Sequence, residues 1–273
     1  MSKYKSFYHK SYNLYGSDTL KGFLKIITIT IIFMCMFTKT TFADGTFTNF
    51  KDIEMDIYKH LENRDEKFSF VYIGTTENFK NNISPTIKKA YSKDDYLERS
   101  WLLIQPKAKV KSYGIETSIE AKYLNTKEEE DYVDRELKKA VDSIISYNMS
   151  DFEKVFAIND YIINRYEYDY TLNSISPYSA LTKSVAVCQG YAMTAYKMLE
   201  YAGIENKIIV GTAKNISHAW NIVKIDGEWY QLDTTNNDSI LNKNKYFLVD
   251  DRFLENKGYV WDRSKYPIST SIY

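Results

Sequence analysis

The sequence predicts an α+β fold, and three observations carry that prediction. Two helix-start signals follow one another, Thr126-Lys127-Glu128-Glu129 and Ser150-Asp151-Phe152-Glu153. In each, a hydroxyl and a carboxylate three residues later satisfy two backbone N–H groups that a helix start leaves unpaired. A third helix, Cys188–Tyr201, carries Tyr191, Ala192, Ala195, Met198 and Leu199 at helical spacing, and Gly203 is placed to end it. The period then changes. Residues 217–225 and 228–233 read as strands joined by Asp226-Gly227, a two-residue hairpin signal. Helices and a hairpin in one chain make the class α+β.

The elements before these are plainer. Residues 1–43 read as a signal peptide. Lys3, Lys5, Lys10, Lys21 and Lys25 form a positive start, residues 26–37 an apolar run, and Thr41-Phe42-Ala43 a small-x-small cleavage signature. Cleavage after Ala43 and a secreted or extracellular-surface protein are expected. The leader holds six lysines and one aspartate, so the remainder has 30 basic and 35 acidic residues, net −5. That balance gives no basic footprint for nucleic acid. Residues 44–125 read as a small α+β unit. The spacing of Ile53, Ile57, Tyr58 and Leu61 predicts a helix over 50–61, and residues 68–73 a strand. A helix over 83–91 would carry Pro85 near its first turn. A strand over 101–104 would stop at Pro106, and alternation predicts another over 115–123. His60 reads as a structural or surface residue. Residues 126–273 form the larger domain, with an ordered loop over 171–187 and a loop-like tail after Asp233 that contains one apolar patch, 246–249.

Chemistry concentrates in three residues of that domain. Cys188 is the one cysteine left once the leader is removed, and it stands where a helix begins. At its ordinary pKa of about 8.5, only about 3% of a thiol is thiolate at pH 7. A helix N-terminus and a nearby imidazolium both favour the anion, and a fall of about two units would make roughly three-quarters of it thiolate. A two-residue turn at 226–227 sets His218 opposite Thr235 and Trp220 opposite Asp233. Side chains alternate along a strand, so His218 and Asp233 share a face as diagonal neighbours. A one-residue slip would separate them. Singly, a buried cysteine, a strand histidine and a turn aspartate each fit a structural role. Together they supply a nucleophile, a base and the group that orients the base.

Val187-Cys188-Gln189-Gly190-Tyr191-Ala192, Gly203-Ile204, His218-Ala219-Trp220-Asn221, Asp226-Gly227-Glu228-Trp229-Tyr230 and Leu232-Asp233-Thr234-Thr235 resemble the core of the transglutaminase-like superfamily. The resemblance covers roughly residues 130–265. It implies a papain-like fold, a nucleophile helix on an antiparallel sheet, with Cys188 as nucleophile, His218 as general base and acid, and Asp233 as orienter. The implied reaction is acyl transfer at an amide through a thioester. The backbone N–H of Cys188 is the expected first oxyanion donor, with Tyr178 or the Gln189 side chain as candidates for a second. Residues 233–244 are polar but lack the ligand spacing of an EF-hand loop, so neither metal nor cofactor is expected. Expected partners are a protein or cell-wall peptide substrate, no nucleic acid, and a membrane only in transit through the signal segment. A non-catalytic binding module that keeps this fold is the alternative.

Overall fold

A computed structural model describes residues 45–239 and 243–273. The expected signal peptide lies outside the described residues.

The first unit comprises β1 (Gly45–Phe47), α1 (Phe50–Glu62), β2 (Lys67–Tyr72), α2 (Thr76–Tyr91), α3 (Asp95–Ser100), β3 (Trp101–Lys111) and β4 (Gly114–Tyr123). Its sheet runs β1-β2-β4-β3. Ile53, Ile57 and Leu61 recur every four residues along α1, and so fall on one face. That face buries against Phe68 and Phe70 of β2, Ile115 and Ile119 of β4, and Phe79 and Ile83 of α2.

Two expectations change in this unit. Helix α2 starts seven residues earlier than 83, at Thr76, where the Thr75 side chain accepts from the Asn78 N–H. Pro85 therefore lies inside the helix, not in its first turn. The polar stretch 77–82 hid that start, and burial of Phe79 and Ile83 overrides its weak propensity. Strand β3 does not stop at Pro106, which pairs with Ile119. β3 is an edge strand, where a proline whose missing N–H faces the open side costs no ladder bond.

The second part holds α4 (Lys127–Ile144), α5 (Asp151–Arg165), β5 (Glu167–Tyr168), α6 (Pro177–Lys183), β6 (Val185–Ala186), α7 (Cys188–Tyr201), β7 (Asn206–Ala213), β8 (Ile216–Ile225), β9 (Glu228–Leu232), α8 (Thr234–Asn237), β10 (Phe247–Val249), α9 (Asp251–Asn256) and β11 (Tyr259–Trp261). Both capping boxes form at Thr126 and Ser150. Five strands make one sheet, β10-β9-β8-β7-β11, with every pairing antiparallel. Helix α7 lies between that sheet and α4, α5 and α6, with Tyr191, Ala195, Met198 and Leu199 in the core. This is the helix-on-antiparallel-sheet architecture that the resemblance implies.

The β8–β9 register is the one a two-residue turn requires. Ile225 opposes Glu228 and Asn221 opposes Leu232. Asp226 and Gly227 have φ of 52° and 89°, the two left-handed residues of a type I′ turn. The stretch 171–187 is less of a loop than expected. Ser176 caps α6 with Pro177 in its first turn, and β6 pairs with β5 in parallel. The tail is likewise structured, adding β10 and β11 to opposite edges of the sheet. Strands of three residues are too short for alternation to register in a sequence.

The two parts meet through buried polar contacts. Glu130 of α4 accepts from the Tyr96 hydroxyl at 2.8 Å and from Asn125 Nδ2 at 2.9 Å, and Arg64 lies 3.5 Å from it. Ser176 donates to Asn125 Oδ1 at 2.8 Å. Tyr96 of α3 packs with Ala192, Met193 and Tyr196 of α7 and with Ile208 and Ala219 of the sheet.

Candidate active site

Helix α7 begins with Cys188. Val187 is its N-cap residue and offers no side-chain oxygen, and no acidic residue stands in the first turn. The unpaired N–H groups and the positive end of the dipole are therefore left to the thiol's surroundings. The Val187 N–H is fixed by the Ser174 carbonyl at 2.9 Å. Gly190 allows this close approach: a Cβ there would lie 3.2 Å from the Ser174 carbonyl oxygen and 3.1 Å from Ala186 Cβ. Asn221 of β8 donates to the Ala192 carbonyl at 3.1 Å, which ties the helix to the strand that carries His218.

His218 and Trp220 point to the same face of β8, and their rings stack 5.8 Å apart. His218 Nε2 lies 2.7 Å from Asp233 Oδ2. The Cys188 thiol lies against the same imidazole ring and the Ala219 N–H, both of which favour its anion. With Nε2 held by the carboxylate, Nδ1 is the nitrogen left for sulfur. Asp233 caps α8, accepting the Asn236 N–H at 3.0 Å on Oδ1. Its Oδ2 also accepts from Asn236 Nδ2 at 2.8 Å and from the Tyr259 hydroxyl at 2.5 Å. Both His218 and Asp233 are buried.

Burial and charge compete at each member. Burial alone pushes the Cys188 thiol up, but the hydrogen bond and charge of His218, with the Ala219 N–H, outweigh it and leave the thiol below its ordinary value. Burial alone would lower the His218 imidazolium. The Asp233 carboxylate beside it, and then Cys188, outweigh that and raise it to about 10. Burial would raise Asp233, and the His218 charge, Tyr259 and Asn236 hold it below the usual carboxylate range. All three shifts favour a thiolate and an imidazolium side by side.

The two oxyanion candidates sit differently. Gln189 directs Nε2 to the carbonyls of Arg99 and Ile175, each at 3.4 Å. Tyr178 lies on α6, edge-on to Tyr132 with ring centroids 5.7 Å apart. Sequence reasoning missed Asn236 and Tyr259. The spacing of Asp233 and Asn236 is that of an N-cap and its third residue, a signal that could have found Asn236. No local pattern marks Tyr259, which reaches Asp233 from the far edge of the sheet.

Residues 138–234 match the family described as the Transglutaminase-like superfamily. The match ends one residue after Asp233 and takes in Cys188 and His218. This segment is similar to a transglutaminase-like core. Among curated proteins, the kyphoscoliosis peptidases of Mus musculus and Homo sapiens are each 27% identical over 167 residues, covering 49% of this chain. The alignment spans a quarter of the length of those relatives. A solved structure of a TGase is 15% identical, with a TM-score of 0.34 over 75% of this chain and 64% of that one.

Proposed function

We propose that this chain is an exported, cysteine-dependent acyl-transfer enzyme acting on amide bonds, with Cys188, His218 and Asp233 as its catalytic triad. One observation carries the reading: a thiol at the start of a buried helix lies against an imidazole ring whose Nε2 is 2.7 Å from a buried carboxylate. In the first step the Cys188 thiolate attacks the amide carbonyl carbon. The C–N bond breaks, the His218 imidazolium gives its proton to the leaving amine, and an acyl thioester remains. In the second step neutral His218 takes a proton from water or from a second amine, which attacks the thioester and releases the thiolate. Asp233 keeps the ring oriented and stabilises its charged form. The backbone N–H of Cys188, in an uncapped first turn, is the first donor to the oxyanion. The peptidase relatives favour water as the second reactant, and the family also supports an amine. A protein or cell-wall peptide is the substrate class. Residues 44–125 serve as a unit that supports α7 and the sheet.

The test uses a glutamine-rich protein with and without a fluorescent primary amine. Amine incorporation, ammonia release and new N-termini are followed together. At least one should proceed, and Cys188→Ala should lower it by about 10³-fold or more. Equal rates in parent and Cys188→Ala, or no reaction from an inert thiol, would oppose the reading and leave a binding module as the account to pursue.

A further inference from the structure

Asp233 is asked to hold one histidine, yet its carboxylate accepts from more than that. Oδ2 receives His218 Nε2 at 2.7 Å, the Tyr259 hydroxyl at 2.5 Å and Asn236 Nδ2 at 2.8 Å. Asn236 Nδ2 also lies 2.7 Å from the Tyr259 oxygen and 3.4 Å from His218 Nε2. The Tyr259 ring is itself fixed, edge-on to Trp220 at 5.2 Å and to His218 at 5.7 Å. Both residues lie beyond the segment that matches the family. They come from separate elements, α8 and β11, and converge on one oxygen.

We propose that Tyr259 and Asn236 are positioning residues that share the charge of the Asp233 carboxylate and thereby set how strongly it holds a proton on His218. The inference rests on the triad reading above. A carboxylate oxygen that accepts from three donors gives less of its charge to each. Removing one neutral donor leaves more for the His218 N–H, and the imidazolium becomes harder to deprotonate. Among the described residues, the titratable groups facing the His218–Asp233 pair are few. Cys188 faces it from α7, Tyr259 from β11, and Tyr246 from the segment before β10. Asn236 of α8 is uncharged. Tyr259 and Asn236 thus act on histidine basicity chiefly through Asp233, where their short hydrogen bonds end, and a packing role alone would leave that basicity unchanged.

The experiment follows the titration of His218 by NMR in the full chain labelled at histidine, with Cys35→Ser so that Cys188 is the single thiol. His9 and His60 serve as internal references. In the parent the His218 midpoint should lie well above the ordinary value of about 6.5. Tyr259→Phe, which keeps the ring and removes only the hydroxyl, should raise it further by about half a unit to one unit. Asn236→Ala should move it in the same direction, and decides the matter if Tyr259→Phe does not fold. An ordinary midpoint in the parent would overturn the triad reading itself. A raised midpoint in the parent that neither variant moves, or that either lowers, would overturn the positioning role alone.

Discussion

Asp169 is buried, and its carboxylate accepts four hydrogen bonds from the loop that follows it. The Thr171 hydroxyl donates at 2.6 Å, and the N–H groups of Thr171, Asn173 and Ser174 at 2.9, 3.1 and 2.8 Å. The Thr171 hydroxyl is the main cause that holds this carboxyl well below the usual range. The loop so fixed ends at Ser174, whose carbonyl anchors the residue before Cys188. A carboxyl depressed in the folded state stabilises the fold fully above its unfolded value of about 3.9, and that contribution is lost as pH falls through the lower folded value. Asp169→Asn should therefore cost about 1–3 kcal/mol at pH 7. The gap from the parent should narrow below about pH 4. Urea unfolding at pH 7 and pH 3 reads this directly, and a gap independent of pH would contradict it. Cys188 and His218 were legible at this scale because each is nearly alone of its kind. Two histidines and one cysteine follow residue 43, and the hairpin aligns one of those histidines with an aspartate. Asp169 was not legible, since Tyr168-Asp169-Tyr170-Thr171 carries no pattern that separates a loop-fixing aspartate from a solvated one.

Elements with their own end signals were readable, and elements defined by their neighbours were not. The capping boxes fix the starts of α4 and α5, and Asp226-Gly227 fixes the β8–β9 register, because these signals are local chemistry. Strand β11 exists because β7 offers it an edge, which no three-residue stretch can announce. Its seat depends on Gly211. That residue pairs with His218 on one side and Trp261 on the other. A Cβ there would lie 2.2 Å from the Val260 carbonyl oxygen and 3.0 Å from both Trp220 Cη2 and Trp261 Cβ. Backbone cannot yield as a flexible side chain does, so Gly211→Ala should push β11 away from β7 and cost about 1–3 kcal/mol. Because β11 carries Tyr259, amide exchange in 259–261 should speed up while α4 and α5 keep their protection. Unchanged exchange in β11 would mean that the strand is held by something other than this close approach.

Across the whole molecule, the proposed triad is drawn from pieces far apart in the chain. The thiol comes on a helix packed against both parts, the imidazole on the central strand β8, and the carboxylate at the end of β9. The first unit reaches this centre through Tyr96, which clusters with Ala192 and Ala219, and through the Arg99 carbonyl beside Gln189. Glu130, bound by Tyr96 and Asn125, fixes that junction. The tail closes the other side with Tyr259 and with a second buried chain of contacts. There Trp220 Nε1 donates to Gln231 Oε1 at 2.8 Å, and Gln231 Nε2 to Asp251 Oδ1 at 2.7 Å. In the proposed reading, this assembly serves a single outcome, a thiolate held beside an imidazolium at neutral pH. The most direct measurement of it is the rate of Cys188 alkylation by iodoacetamide from pH 5 to pH 10, in the Cys35→Ser chain and in its His218→Ala variant. The rate should stay high and nearly flat down to about pH 5–6, and His218→Ala should return the profile to a pKa near 8.5. A thiol that reacts only near or above pH 8.5 in both chains would contradict the account.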